Sequence, residues 1–106
     1  MTHLIHKRRF TRARALDRMR AYAELAADLE HFRRMSYGEL ARRVGDPPVE
    51  RSVETTDGSL TIEVTFGWAA AGQDGVRVSA TAYGQSWWRL DRLEETITVP
   101  RPSCNV

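Results

Sequence analysis

Two adjacent prolines, Pro47 and Pro48, divide this chain into two stretches whose apolar residues repeat with different periods. Proline offers no backbone donor and clashes with a preceding helical turn, so no helix can run through the pair. Before it, apolar residues recur at steps of three and four; after it, they alternate. A helical part followed by a run of strands is the pattern of an α+β domain.

Thr11 reads as an N-cap, and from Ala13 onward good helix formers continue without glycine or proline as far as Gly38. Leu16, Met19, Tyr22, Leu25, Leu29 and Phe32, widened by Ala23 and Ala26, form one apolar stripe, with Arg12, Asp17, Arg20, Glu24, Asp28 and Arg34 opposite. Such a stripe can cover a sheet or form the seam of a dimer. Covering the sheet is the favoured use, since fewer than three heptads are present. Ser36 and Glu39 have the spacing of a capping box, which predicts a second helix through Tyr37, Leu40, Ala41 and Val44, ending at Gly45.

Beyond the prolines, Val49, Arg51, Val53 and Thr55 alternate with Glu50, Ser52, Glu54 and Thr56, and Asp57-Gly58 is a hairpin signal. Leu60, Ile62, Val64, Phe66 and Trp68 then share one face against Thr61, Glu63 and Thr65. After a turn over 71–75, Val76, Val78, Ala80 and Ala82 lie opposite Arg77, Ser79, Thr81 and Tyr83. A last strand carries Leu93, Glu95, Ile97 and Val99 on one face and stops at Pro100. The predicted fold is α+β: a long N-terminal helix and a short second helix packed on one face of a four-stranded antiparallel meander, a two-layer sandwich. One domain should span 1–106, with 1–10 as a flexible basic arm, 11–45 helical, 49–100 the sheet and 101–106 a tail. A length of 106 residues suits one core rather than two.

Hydrophobic residues make up 42% and charged residues 28%, a composition that folds rather than stays disordered. No apolar run reaches the roughly 20 residues a membrane-spanning helix needs, and a single cysteine, Cys104, cannot form an internal disulfide. A cytoplasmic protein is expected, with no membrane contact. The net charge of +2 hides a division: residues 1–20 carry seven basic side chains against Asp17, a net of +6, leaving −4 on the remainder. Lys7, Arg8, Arg9, Arg12 and Arg14 are therefore candidates for a nucleic acid or another acidic partner, or they balance the acidic remainder of the fold or of a second subunit.

The segment after Gly84 holds Trp87, Trp88, Arg89 and Arg92. Adjacent tryptophans on a strand point to opposite faces, so one of them is left outside the core unless it covers the end of the sheet. Tryptophan and arginine are the residue types that dominate binding hot spots, which makes this group the candidate partner contact.

Tyr37-Gly38-Glu39-Leu40-Ala41-Arg42-Arg43-Val44-Gly45-Asp46-Pro47 resembles the opening of the helix-turn-helix in alkylguanine-DNA alkyltransferases, over about a tenth of the chain. In that family a recognition helix and a Pro-Cys-His-Arg active site follow. Here a strand pattern follows instead, and Pro102-Ser103-Cys104-Asn105 lacks the histidine and arginine, so no functional residue carries over.

His3, His6 and His31 offer no metal triad or nucleophile–base pair, and Glu94 and Glu95, neighbours on a strand, point apart. No catalytic residue, cofactor or metal is expected. Three functions from different classes remain. The first is a non-enzymatic protein-interaction or assembly module, including a homodimer. The second is a nucleic-acid binder using the basic N-terminus, and the third is a small enzyme or ligand carrier with a pocket between helix and sheet.

Overall fold

The computed structural model describes residues 2–55, 58–70, 74–84 and 92–103, with side chains described from Arg18 onward. Its elements are α1 (Thr2–Arg33), α2 (Tyr37–Ala41), β1 (Val49–Thr55), β2 (Gly58–Trp68), β3 (Gly75–Gly84) and β4 (Leu93–Pro100). The sheet is antiparallel in the order β1-β2-β3-β4, and both helices pack on one of its faces. The two-layer α+β sandwich with a meander is the architecture expected from the change of period.

Two helix boundaries differ from the sequence reading. α1 begins at Thr2, so Thr11 lies inside the helix and does not cap it. Residues 2–12 contain neither glycine nor proline, and nothing in their backbone opposes continuation of the helix. α2 ends at Ala41. The turn beyond it is held by tighter bonds, in which the N–H groups of Arg43, Val44 and Asp46 donate to the carbonyls of Leu40, Ala41 and Arg43 at 3.0, 3.3 and 3.0 Å. Gly45, at φ +89, takes the left-handed turn that closes this segment.

At the other end of α2, Ser36 is the N-cap, and its hydroxyl accepts from the Glu39 N–H at 3.2 Å. Ser36→Ala should cost about 1 kcal/mol, and Ser36→Asp, which keeps an acceptor, should restore most of it. Thermal unfolding of the two variants checks this, and equal losses would remove the cap from the account.

The strand register stacks side chains into rows under α1: Ile62 beside Ala82 and Leu93, Val64 beside Ala80, Phe66 beside Val78 and Ile97. Ala80 and Ala82 are fully buried where α1 crosses β3 and β4, because their small side chains let the helix lie close. From the helix, Ala21, Leu25, Leu29 and Phe32 enter this core. The predicted stripe was too wide. Met19 is 68% and Tyr22 45% exposed, Ala23 and Ala26 are exposed, and Ala21 is buried in their place. At 3.6 residues per turn, 21, 25, 29 and 32 share one line while 19, 22 and 26 lie about a quarter-turn away, beyond the reach of the sheet.

The molecule measures 70 × 24 × 22 Å. A 32-residue helix is roughly 48 Å long, and α1 places no described side chain in the core before Ala21. Its first half therefore projects past the sheet. Among the described residues, no helix is long and apolar enough to cross a membrane.

Candidate interaction surface

On the β1 side, the helix is tied down by Arg51. Strand alternation puts Arg51 on the helix-facing side with Val53, but at the sheet's edge, where its guanidinium can turn up toward α1. Its Nη2 donates to Glu24 Oε2 at 2.7 Å, while Nε and Nη2 donate to the two carboxylate oxygens of Asp28 at 3.1 and 3.0 Å. The Asp28 hydrogen bonds, opposed by partial burial and reinforced by Glu24, raise the Arg51 pKa above its ordinary value. A raised base contributes stability that is lost only as pH rises through the folded-state pKa, here at extreme alkalinity. Salt is therefore the useful probe.

Arg51→Met keeps the apolar stem and strands two carboxylates. It should cost about 1 kcal/mol at low ionic strength, because the pair is partly exposed, and less near 1 M salt, where the screening length falls to about 3 Å. Equal losses by urea unfolding at both salt concentrations would contradict the ion-pair account.

One end of the sandwich is closed by aromatic rings. Phe32 and Phe66 meet edge-to-face at 5.1 Å, the Arg43 guanidinium lies 5.9 and 5.7 Å from their centroids, and Tyr37 tilts against Trp68 at 6.5 Å. His31, edge-on to Phe32 at 5.1 Å, is an exposed neighbour of this group.

On the β4 side α1 packs against the strand, and no side-chain hydrogen bond or ion pair is seen between them among the described residues. A groove of about 440 Å³ runs between them, with Tyr22, Ala26, Leu29, Glu30 and Arg33 on the helix wall and Glu95, Thr96 and Ile97 on the strand wall. Met19, one turn before Tyr22 on the helix, is also exposed. The strand wall is the edge of the sheet. Just past β4, the Arg101 N–H donates to the Asp74 carbonyl at 2.7 Å. Backbone bonding alternates along an antiparallel strand, so residues 93, 95, 97 and 99 bond to β3, and the N–H and C=O groups of Glu94, Thr96 and Thr98 point away from it. A helix face that exposes Tyr22 and Ala26, flanked by Glu30 and Arg33, thus adjoins the outer edge of the described sheet.

The face of the sheet away from the helices is open and polar. The Ser79 and Thr96 hydroxyls hydrogen-bond at 3.2 Å beside a shallow depression lined by Thr65, Arg77, Ser79 and Glu94. Glu50 and Glu63 are direct cross-strand partners, and Glu94 follows in the same row beyond Thr81. Like charges placed directly opposite destabilise a sheet, so Glu63→Thr should raise stability by about 0.2–1 kcal/mol. A lower thermal midpoint for this variant would overturn that expectation.

Of the residues singled out in the sequence, Trp87, Trp88 and Arg89 lie outside the described residues, as does Cys104. Arg92 is exposed, and its guanidinium sits 5.0 Å over the ring of Tyr83, the residue that continues the β3–β4 register. Lys7, Arg8, Arg9, Arg12 and Arg14 lie along the helical backbone of α1. Among the described residues, no group of three or more histidine, cysteine, aspartate and glutamate side chains is placed to hold a metal ion. The stretch that resembles a helix-turn-helix consists of the five-residue α2 and a turn, and leads into β1.

These features define a small two-layer α+β sandwich in which Arg51 of β1 ion-pairs with the helix and β4 forms the other edge of the described sheet. Comparison of the chain with protein-family models, with curated proteins and with solved structures found no match.

Proposed function

We propose that the protein is a non-enzymatic interaction module of the cytoplasm, and that its binding surface is the β4 side. The observation that carries this reading is the continuity of two binding-competent features: the exposed Tyr22 and Ala26 of α1 and the outward backbone of β4 share the walls of one groove. Main-chain groups on a sheet edge supply affinity for an added strand, and the side chains of the adjoining helix wall supply selectivity. The single cysteine supports the assignment to a reducing compartment.

Photo-crosslinking in the cell tests the reading. A photoreactive phenylalanine analogue placed at position 22 or 98 should give a discrete protein adduct, and the same probe at Thr61, on the open face, should give none. Adducts from position 61 alone would refute it.

A second reading is favoured by the helical backbone from Thr2, which arrays Lys7, Arg8, Arg9, Arg12 and Arg14 along one rod. Such a rod suits the phosphates of a nucleic acid. Duplex titrations at two salt concentrations decide, since each phosphate contact contributes about −0.9 to the log–log slope of affinity against salt. Affinity that does not fall with salt removes this reading.

A further inference from the structure

We infer that the β4 edge takes an extended polypeptide segment carrying two adjacent basic residues, which adds to β4 as a further antiparallel strand. The inference rests on the interaction-surface reading above and names the chemistry of the partner.

The charges beside this edge are unevenly placed. Glu94 and Glu95 are both exposed, and consecutive strand residues point to opposite faces. Glu95 lines the groove under α1, and Glu94 lines the depression on the open face. Ion pairs among the described residues join Arg34 to Glu30, and Arg51 to Glu24 and Asp28; none engages Glu94 or Glu95. Two uncompensated carboxylates therefore flank one stretch of outward backbone, one on each face. Glu63, in the row of Glu94 beyond Thr81, adds to the negative charge there.

The other end of the groove is positive. Arg51, which holds Glu24 and Asp28, lies in the row that continues through Ile62 and Ala82 to Leu93. Phe32 stands on Phe66, whose row continues through Val78 to Ile97. α1 thus runs in the direction of β4, with Tyr22 and Ala26 toward the Glu95 end and Arg33 toward the Ile97 end. Arg33 is exposed on the groove wall, and its neighbour Glu30 is already paired with Arg34 at 3.5 Å. A cationic segment is drawn to one end and repelled from the other, which selects its register as well as its charge.

An added strand meets these demands together. In antiparallel pairing, five successive partner residues fall opposite Thr98, Ile97, Thr96, Glu95 and Glu94, in that order. The first, third and fifth exchange hydrogen bonds with the outward groups of 98, 96 and 94 and project onto the open face. The second and fourth project into the groove. The fourth meets Glu95, with the exposed ring of Tyr22 on the opposite wall, a setting that favours arginine or lysine. The fifth meets Glu94. Adjacent basic residues at these two places answer both carboxylates, because in a strand they too point to opposite faces. A helix or a compact cation cannot straddle the edge and also bond its backbone.

The test is amide hydrogen exchange on the full chain with three capped peptides: GSTVTRKSG, which sets its basic pair opposite Glu95 and Glu94, and the same peptide with QQ or EE in place of RK. The basic peptide should slow exchange at the N–H groups of Glu94, Thr96 and Thr98. It should bind at least tenfold more tightly than the glutamine peptide, with the glutamate peptide weakest. Glu94→Gln with Glu95→Gln should erase that difference, and Glu94→Lys with Glu95→Lys should reverse it, a result that a merely unfolded variant cannot give. The Thr96 N–H points away from β3, so Thr96→Pro should abolish protection by every peptide without removing a bond from the existing ladder. No protection at about 1 mM basic peptide, where even weak complexes form, overturns the inference, as does protection that survives Thr96→Pro. Equal binding of the basic and glutamine peptides overturns the basic-partner inference and leaves β4 standing as an interaction surface. So does a dimer by light scattering that Thr96→Pro dissociates, since the edge then belongs to a second copy. Both readings fall together if crosslinks in the cell form from position 61 alone.

Discussion

Phe32→Ala is expected to remove about 3–5 kcal/mol of stability, the range for emptying a buried aromatic site. Phe32 is 8% exposed at the last turn of α1, and its ring stands edge-to-face on Phe66, itself 7% exposed. Such ring pairs contribute about 0.5–1.5 kcal/mol beyond the area they bury. Arg43, whose guanidinium lies near both rings, loses half of its aromatic cradle in the same change. Against the 5–15 kcal/mol typical of a whole domain, the loss is large enough to populate unfolded chains. Urea unfolding measures it, with Phe32→Leu as the companion that refills the volume without the ring. A deficit below about 1 kcal/mol for alanine would mean that the aromatic corner is not the structural joint between helices and sheet.

The second large effect separates two apolar residues three positions apart. Leu25→Ala should cost about 2–5 kcal/mol, because Leu25 is fully buried between Ala21 and Leu29 on the helix line that enters the core. Tyr22→Ala, at a 45% exposed residue, should change the stability of the dilute chain by no more than about 0.5 kcal/mol. The measurement is made at two protein concentrations, since any association would add to apparent stability by mass action. Equal effects at the two positions would show that the apolar stripe of α1 is buried across its full width within one chain, and would leave no free face for a partner.

The exposed stripe shows where the sequence stops being informative. Met19, Tyr22, Leu25 and Leu29 all fit one amphipathic band, and nothing in their spacing says where the cover ends. A helix laid on a sheet presents only a limited arc to it, and which arc depends on the position of strands far along the chain. The Arg51 clamp was hidden for the same reason. Arg51 read as one member of an alternating strand, and Glu24 and Asp28 as solvated helix surface; their ion pair spans more than twenty residues of sequence and exists only once β1 is placed at the sheet's edge. The open edge of β4 follows likewise from strand order, a property of the meander as a whole.

The boundaries of α1 erred in the other direction. Thr11 has good capping chemistry, but a cap stops a helix only when the preceding residues cannot continue it, and His3 through Phe10 can. Arg92 illustrates a third limit. Read in the sequence as a candidate partner contact beside two tryptophans, it is exposed and its guanidinium sits over the ring of Tyr83, a neighbour that no short-range pattern indicates.

What the sequence determined by itself is everything set by short-range periodicity and backbone chemistry. The period of three and four, the alternation after Pro47 and Pro48, the Ser36 cap and the inward line of each strand are all decided within a few residues, so the layers and the meander were legible. The tertiary structure alone decided which part of an apolar stripe is covered, which cation finds which anion, and which strand edge is left unpaired. Those outcomes depend on distances between residues remote in the chain, and the free energy that selects them arises only when the layers pack.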